Sequence, residues 1–177
     1  MIQKVKGKKY LINGGLGMIG STIATILVEA GAEVTIVDAM IKPFGANLFN
    51  IEKIKDQVKI RTFDIKSIKD MKKEIENKDV IFNLAGQIAH NDSIINPLYD
   101  AKLNYLYQLN VMECIRQVNP NAKVIFSGSR LQFGKIKKAP VDESHASCPE
   151  TPYALHKQTT ENMYQFYNRQ YDIDTVV

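Results

Sequence analysis

Tyr153 and Lys157 stand four residues apart in Tyr-Ala-Leu-His-Lys, and Ser129 lies twenty-four residues upstream of the tyrosine. A spacing of four on a helix puts two side chains on one face. A phenol with its ordinary pKa of about 10 is a poor base at neutral pH, but an ammonium close by favours the phenolate. With a serine hydroxyl alongside, such a pair can move a proton on and off an alcohol. Tyr and Lys at this spacing also occur by chance on solvated helix faces, so the pattern counts only if the rest of the chain agrees with it.

A second set of residues lies near the N-terminus. Gly14, Gly17 and Gly20 form GxxGxxG between a short apolar run at 10–13 and a helical pattern at 21–30. Those glycines suit a tight turn, close approach of backbone to a pyrophosphate, and a helix N-terminus aimed at the anion. Met18 and Ile19 belong to the same turn. The run 34–37 ends in Asp38, eighteen residues after Gly20. A carboxylate there accepts hydrogen bonds from adenosine ribose hydroxyls and repels a 2′-phosphate. A structural turn followed by an ordinary surface aspartate is the plainer alternative, and it leaves the spacing unexplained.

The elements that must position these residues alternate along the chain. Short, β-branched runs at 10–13, 34–37, 58–63, 80–84, 124–127 and 175–177 read as strands buried on both faces. Helical stretches fall at 21–30, 67–76, 97–118 and 152–171. In the third, Leu103, Leu106, Tyr107, Val111, Cys114, Ile115 and Val118 mark an apolar stripe, and Asn119-Pro120-Asn121 ends it. Residues 39–51 read as a loop leading into a poor helix. This order predicts an α/β fold, a doubly wound parallel sheet with helices on both faces. On such sheets ligands bind at the carboxyl ends of the strands. The glycine turn, Asp38, Asp64, Asn83 to Gly86 and Ser127 to Ser129 all follow strand ends, so they converge on one edge.

The chain's 177 residues suffice for one well-buried domain and not for two large ones. A net charge of +4 with 24% charged residues gives no nucleic-acid surface; the Lys135-Ile136-Lys137-Lys138 cluster lacks interleaved aromatics and reads as a solvated loop. Cys114 and Cys148 read as reduced thiols. The N-terminus reads as neither signal peptide nor membrane span, which makes the cytoplasm the expected location. His90, His145 and His156 are not spaced as metal ligands and are expected at the surface or in loops, with no metal.

Taken together these residues resemble the extended branch of the short-chain dehydrogenase/reductase family, the NAD-dependent nucleotide-sugar epimerases and dehydratases. Gly14, Gly17 and Gly20 match its dinucleotide turn and Asp38 its NAD-selecting acid. Asp64-Ile65 matches the pair beside the adenine, and Leu84-Ala85-Gly86 the strand-end motif lining the cofactor. Ser93 and Pro97 fall where the family has a serine and a helix start, and Asn104 matches its helix asparagine. Phe126-Ser127-Gly128-Ser129 is similar to its serine-rich strand end. The resemblance implies a Rossmann domain that binds NAD through these residues and through Met18, Ile19, Ser127, Tyr153 and Lys157. It also implies catalysis by Ser129, Tyr153 and Lys157 on a nucleotide-diphosphate sugar, with neither nucleic acid nor membrane as partner and a homodimer as the assembly allowed.

Departures from the family pattern narrow the expectation. Dehydratases carry an Asp-Glu pair directly after the catalytic hydroxyl, and decarboxylases a glutamate two positions on. Here Arg130 and Leu131 follow Ser129, which favours a 4-epimerase-like reaction through a keto sugar. A sugar dehydrogenase or dehydratase and a non-catalytic dinucleotide-binding module stay open. Tyr107 stands where a small residue is usual; it either fills the helix stripe or crowds the cofactor. Gln132-Phe133 replaces a valine–tyrosine pair and reads as conservative. The sequence stops at Val177, inside the expected sixth strand, where family members continue. Residues 1–177 are therefore expected to be the NAD-binding portion, with the C-terminal substrate domain missing.

Overall fold

Asn13, at the end of strand β1 (Lys9–Asn13), lies beside Val37 of β2 (Glu33–Asp38) on one side and Asn83 of β4 (Val80–Asn83) on the other. Asn83 is in turn level with Phe126 of β5 (Lys123–Phe126). This register brings Gly14, Asp38, Leu84 and Ser127 out of the sheet side by side. With β3 (Val58–Thr62) and β6 (Thr175–Val176) the strands form one parallel sheet of order β3-β2-β1-β4-β5-β6. The order reverses between β1 and β4, the switch point at which such sheets bind ligands. The structure, a computed structural model, describes residues 5–177. The first four, part of the N-terminal stretch expected to be neither signal peptide nor span, lie outside the described residues.

Two cores sandwich the sheet. On one face α1 (Met18–Glu29) packs Ala24 and Leu27 on Tyr10, Ile12, Val34 and Ile36. On the other, α2 (Ile68–Ile75), α5 (Tyr107–Val118) and α6 (Pro152–Tyr171) pack Met71, Met112, Ile115 and Tyr164 on Leu11, Ile81, Val124 and Phe126. Leu11 and Ile12 thus serve opposite cores, as the period of two requires. Burial on both faces holds for β1 and β2 only. β3 is an edge strand and mostly exposed, and β4 and β5 bury alternate residues, because only α5 and α6 cover them fully.

The expected helix at 97–118 is broken by a wider turn. α4 (Pro97–Ala101) passes into a π-helical turn, Lys102–Leu106, and only then into α5. Each residue advances a helix by about 100°, so the extra residue rotates the stripe. Leu106 and Val118, expected inside, are exposed, and Gln108 is buried instead. Tyr107 packs partly buried against the sheet's core. A further helix, α3 (His90–Ile95), occupies a stretch where none was expected. No helix among the described residues is long and apolar enough to cross a membrane.

Candidate active site

A cleft of about 350 Å³ runs along the carboxyl edge of the sheet, from the glycine turn and Asp38 to Tyr153 and Lys157. The three glycines at its start have different reasons to be there. Gly14 has φ +78°, and a Cβ on it would lie 2.8 Å from the Ala85 nitrogen; one on Gly20 would collide with the Gly14 carbonyl. Both hold the turn against the sheet. A Cβ on Gly17 would meet only the Gly14 carbonyl, at 3.5 Å, and otherwise faces the cleft. The protein leaves that space open, so the glycine serves what enters it. Gly17 also caps α1 without a side-chain acceptor, and no acid occupies the first turn. The amides of Met18 and Ile19 are therefore available to an anion.

Asp38 is held rigidly at the same end. Its Oδ2 accepts from the Leu16 amide at 3.0 Å and its Oδ1 from the Met40 amide at 2.9 Å. Each oxygen keeps a lone pair for a hydroxyl. Asp64, two residues past β3, lines the cleft while pairing with Lys66 at 3.3 Å. Ile65, Leu84, Ala85, Gly86, Asn104 and Ser127 complete the walls. These donors and this open turn fit a dinucleotide with free ribose hydroxyls. No group of three or more His, Cys, Asp or Glu among the described residues could hold a metal.

At the far end, Thr151 caps α6 by accepting from the Ala154 amide, and the first two turns present Tyr153 and Lys157 to the cleft. Burial raises the Tyr153 pKa; a hydrogen bond from Ser129 opposes this and the Asp100 charge adds to it. Ser129 itself stands just outside the cleft lining as the cap of a 3₁₀ turn, Arg130–Phe133. Lys157 makes its contacts elsewhere. Its Nζ donates to the Ser127 carbonyl at 2.5 Å and sits 4.0 Å from the centre of the Phe126 ring. Burial pushes its pKa down to about 8, against Asp100 and Glu161. The ammonium expected beside a Tyr153 phenolate is thus directed at the Ser127 carbonyl and the Phe126 ring in this geometry.

The chain matches the family model described as GDP-mannose 4,6 dehydratase over residues 11–177. It belongs to that family. The resemblance to extended short-chain dehydrogenase/reductases, the nucleotide-sugar epimerases and dehydratases, is thereby established. A Methanocaldococcus jannaschii protein provisionally named UDP-glucose 4-epimerase is 32% identical over 169 residues, covering 94% of this chain and 53% of that protein. A CDP-paratose 2-epimerase of Salmonella typhi is 27% identical over 155 residues, covering 85% of this chain and 46% of the relative. The solved UDP-N-acetylglucosamine 4-epimerase of Methanobrevibacter ruminantium, in complex with UDP-N-acetylmuramic acid, superposes with a TM-score of 0.88 at 29% identity, over 96% of this chain and 53% of that one. The chain spans about half the length of the relatives it matches.

Within this family member several polar residues have partners that their sequence positions did not indicate. Gln132 is not a conservative replacement: its Oε1 accepts from the Ser129 amide at 2.8 Å and its Nε2 donates to Glu161 at 2.5 Å. It ties the serine turn to α6. Ser93 accepts from the Tyr153 amide at 3.1 Å and so docks α3 on the start of α6. His156, expected at the surface, is half-buried, with Nδ1 2.5 Å from Asp100. His90 is exposed, as expected. A glutamine replacing valine was the one available signal.

Proposed function

We propose that this chain is the dinucleotide-binding and proton-transfer portion of an NAD-dependent nucleotide-sugar epimerase acting at C4 of the sugar. One observation carries the reading: a single cleft has an open glycine turn and a fixed carboxylate at one end and Tyr153 and Lys157 at the other, with Ser129 beside Tyr153 just outside its wall. Gly14, Gly17, Met18, Ile19 and Asp38 would hold the adenosine diphosphate part, and Tyr153, Lys157 and Asn104 would flank the nicotinamide. When bound, NAD supplies the hydride acceptor and donor. Once its own proton has left to water, Tyr153 as phenolate would take the proton of the sugar hydroxyl and later return it, with Ser129 holding the oxygen. Because that proton goes back to the same oxygen, the site needs no outlet for it.

Elimination would need a carboxyl group free to work on the sugar. Arg130 and Leu131 follow Ser129. The carboxylates acting on Lys157 are engaged, Asp100 with His156 and Asn104, Glu161 with Gln132. This supports epimerase over dehydratase; the two relatives named above are called epimerases, while the matching family model is described as a dehydratase. Calorimetric titration tests the first half: NAD(H) should bind more tightly than NADP(H), by roughly tenfold or about 1.4 kcal/mol, and Asp38→Ala should narrow the gap. Equal or reversed affinity would refute the assignment. For the second half, the protein carried to the length of its relatives should convert a UDP-hexose to its 4-epimer, read by proton NMR, and Tyr153→Phe should not. A deoxy-keto product would make it a dehydratase. The engagement of Lys157 with Ser127 favours one other reading, a dinucleotide-binding module without turnover.

A further inference from the structure

Behind the Tyr153–Lys157 face lies a buried carboxylate with no part in the cleft wall. Asp100, in the last turn of α4, has no exposed surface. Its Oδ2 is 2.5 Å from His156 Nδ1, and its Oδ1 accepts from Asn104 Nδ2 at 2.8 Å. A carboxylate removed from water is costly even when paired. The segments on either side of α4 are tied to α6 by neutral groups alone, Ser93 of α3 by the Tyr153 amide and the Asn104 carbonyl of the π turn by Thr160, so holding this edge of the site does not call for a charge. The charge therefore calls for another explanation.

Its neighbours supply one. Asp100 bears on Tyr153 and on Lys157, and favours the protonated form of both. The other charged groups are few. α6 contributes His156 and Glu161, the serine turn contributes the neutral Ser129, and His90 and Asp92 of α3 and Arg130 are exposed. We propose that Asp100 is a positioning residue for proton transfer: held by His156 and Asn104, it sets a fixed negative charge behind the pair that keeps the tyrosine a phenol and the lysine an ammonium until positive charge enters the cleft. The proposal rests on the reading of Tyr153 as the proton-transfer group.

The test reads the charge of the phenol with neither cofactor nor sugar present. Tyrosine Cζ resonances of the chain are titrated with pH, and Tyr153 is identified by its loss in Tyr153→Phe. Asp100→Asn, which keeps the shape and removes the charge, should lower the Tyr153 midpoint. His156→Gln breaks the same tie but leaves the carboxylate, and should not lower it. If Asp100 merely docks the helix, both variants loosen the site and lower the midpoint together; that result, or no movement in either, overturns the proposal. Should Asp100→Asn fail to fold, His156→Arg sets a fixed cation against Asp100 and should lower the midpoint, and an unmoved midpoint is equally decisive. Absence of epimerisation beside the expected pattern would refute the proposed function alone.

Discussion

Gly17 and Lys157 show how one position can be shaped by what it will meet. Nothing in the folded chain forbids a side chain at Gly17, so Gly17→Val should keep the parent's circular dichroism and melting temperature while abolishing dinucleotide binding in a calorimetric titration. A variant that still binds would place the pyrophosphate elsewhere. Lys157 is a buried base with its pKa pushed down to about 8 from 10.5. Its charged form is thus disfavoured by folding, and between pH 8 and 10.5 the unfolded chain binds more protons here than the folded one. Stability from this residue should rise with pH across that window. Lys157→Met removes the effect: its stability relative to the parent, by urea unfolding, should fall as pH climbs from 7 to 10. A difference flat with pH would show that the amine is not buried as described.

Between α4 and α5 the π turn leaves backbone carbonyls without their usual partners, and side chains take them over. Gln108 Nε2 donates to the Leu103 carbonyl at 3.0 Å, and Thr160 of α6 to the Asn104 carbonyl at 2.5 Å. Thr160→Val, nearly isosteric, should leave that buried oxygen unpaired and cost about 1–3 kcal/mol in urea unfolding; a neutral result would mean the turn relaxes. The strands were legible because the apolar runs end abruptly in Asn13, Asp38, Asn83 and Ser127, of which Asp38 and Ser127 line the cleft. α3 was not, since His90-Asn-Asp-Ser-Ile-Ile is short and carries no capping side chain. The π turn was not either, because residues that favour an α-helix equally permit one wider turn. Asp100 and His156 are fifty-six residues apart, and each alone looks like an ordinary polar helix residue.

For the molecule as a whole, the cleft draws on the ends of every strand from β3 to β5 and on the first two turns of α6. A ligand filling it should therefore stabilise the entire fold. At a hundredfold excess over its dissociation constant the gain is about 2.7 kcal/mol, or roughly 5–11 °C in melting temperature for a domain of this size. NADH should produce that shift in scanning calorimetry, Gly17→Val should lose it, and a parent melting point indifferent to NADH would contradict a dinucleotide in this cleft. The polar ladder Asn13–Asn83–Gln108–Tyr164 joins β1 and β4 to α5 and α6, so the switch point is braced by the elements that carry the site.

The one-residue excess in the turn Lys102–Leu106 lets a single continuous helix keep two different phases. Its first part aims Asp100 and Asn104 at α6; its second aims Val111, Met112 and Ile115 at the sheet. A π turn takes up one residue more than an α turn, so a chain one residue shorter there can close into an ordinary α turn with both parts still facing as before. Loss of the codon for the exposed Lys102 should consequently do less harm than loss of one further along α5, where there is no surplus residue to give up.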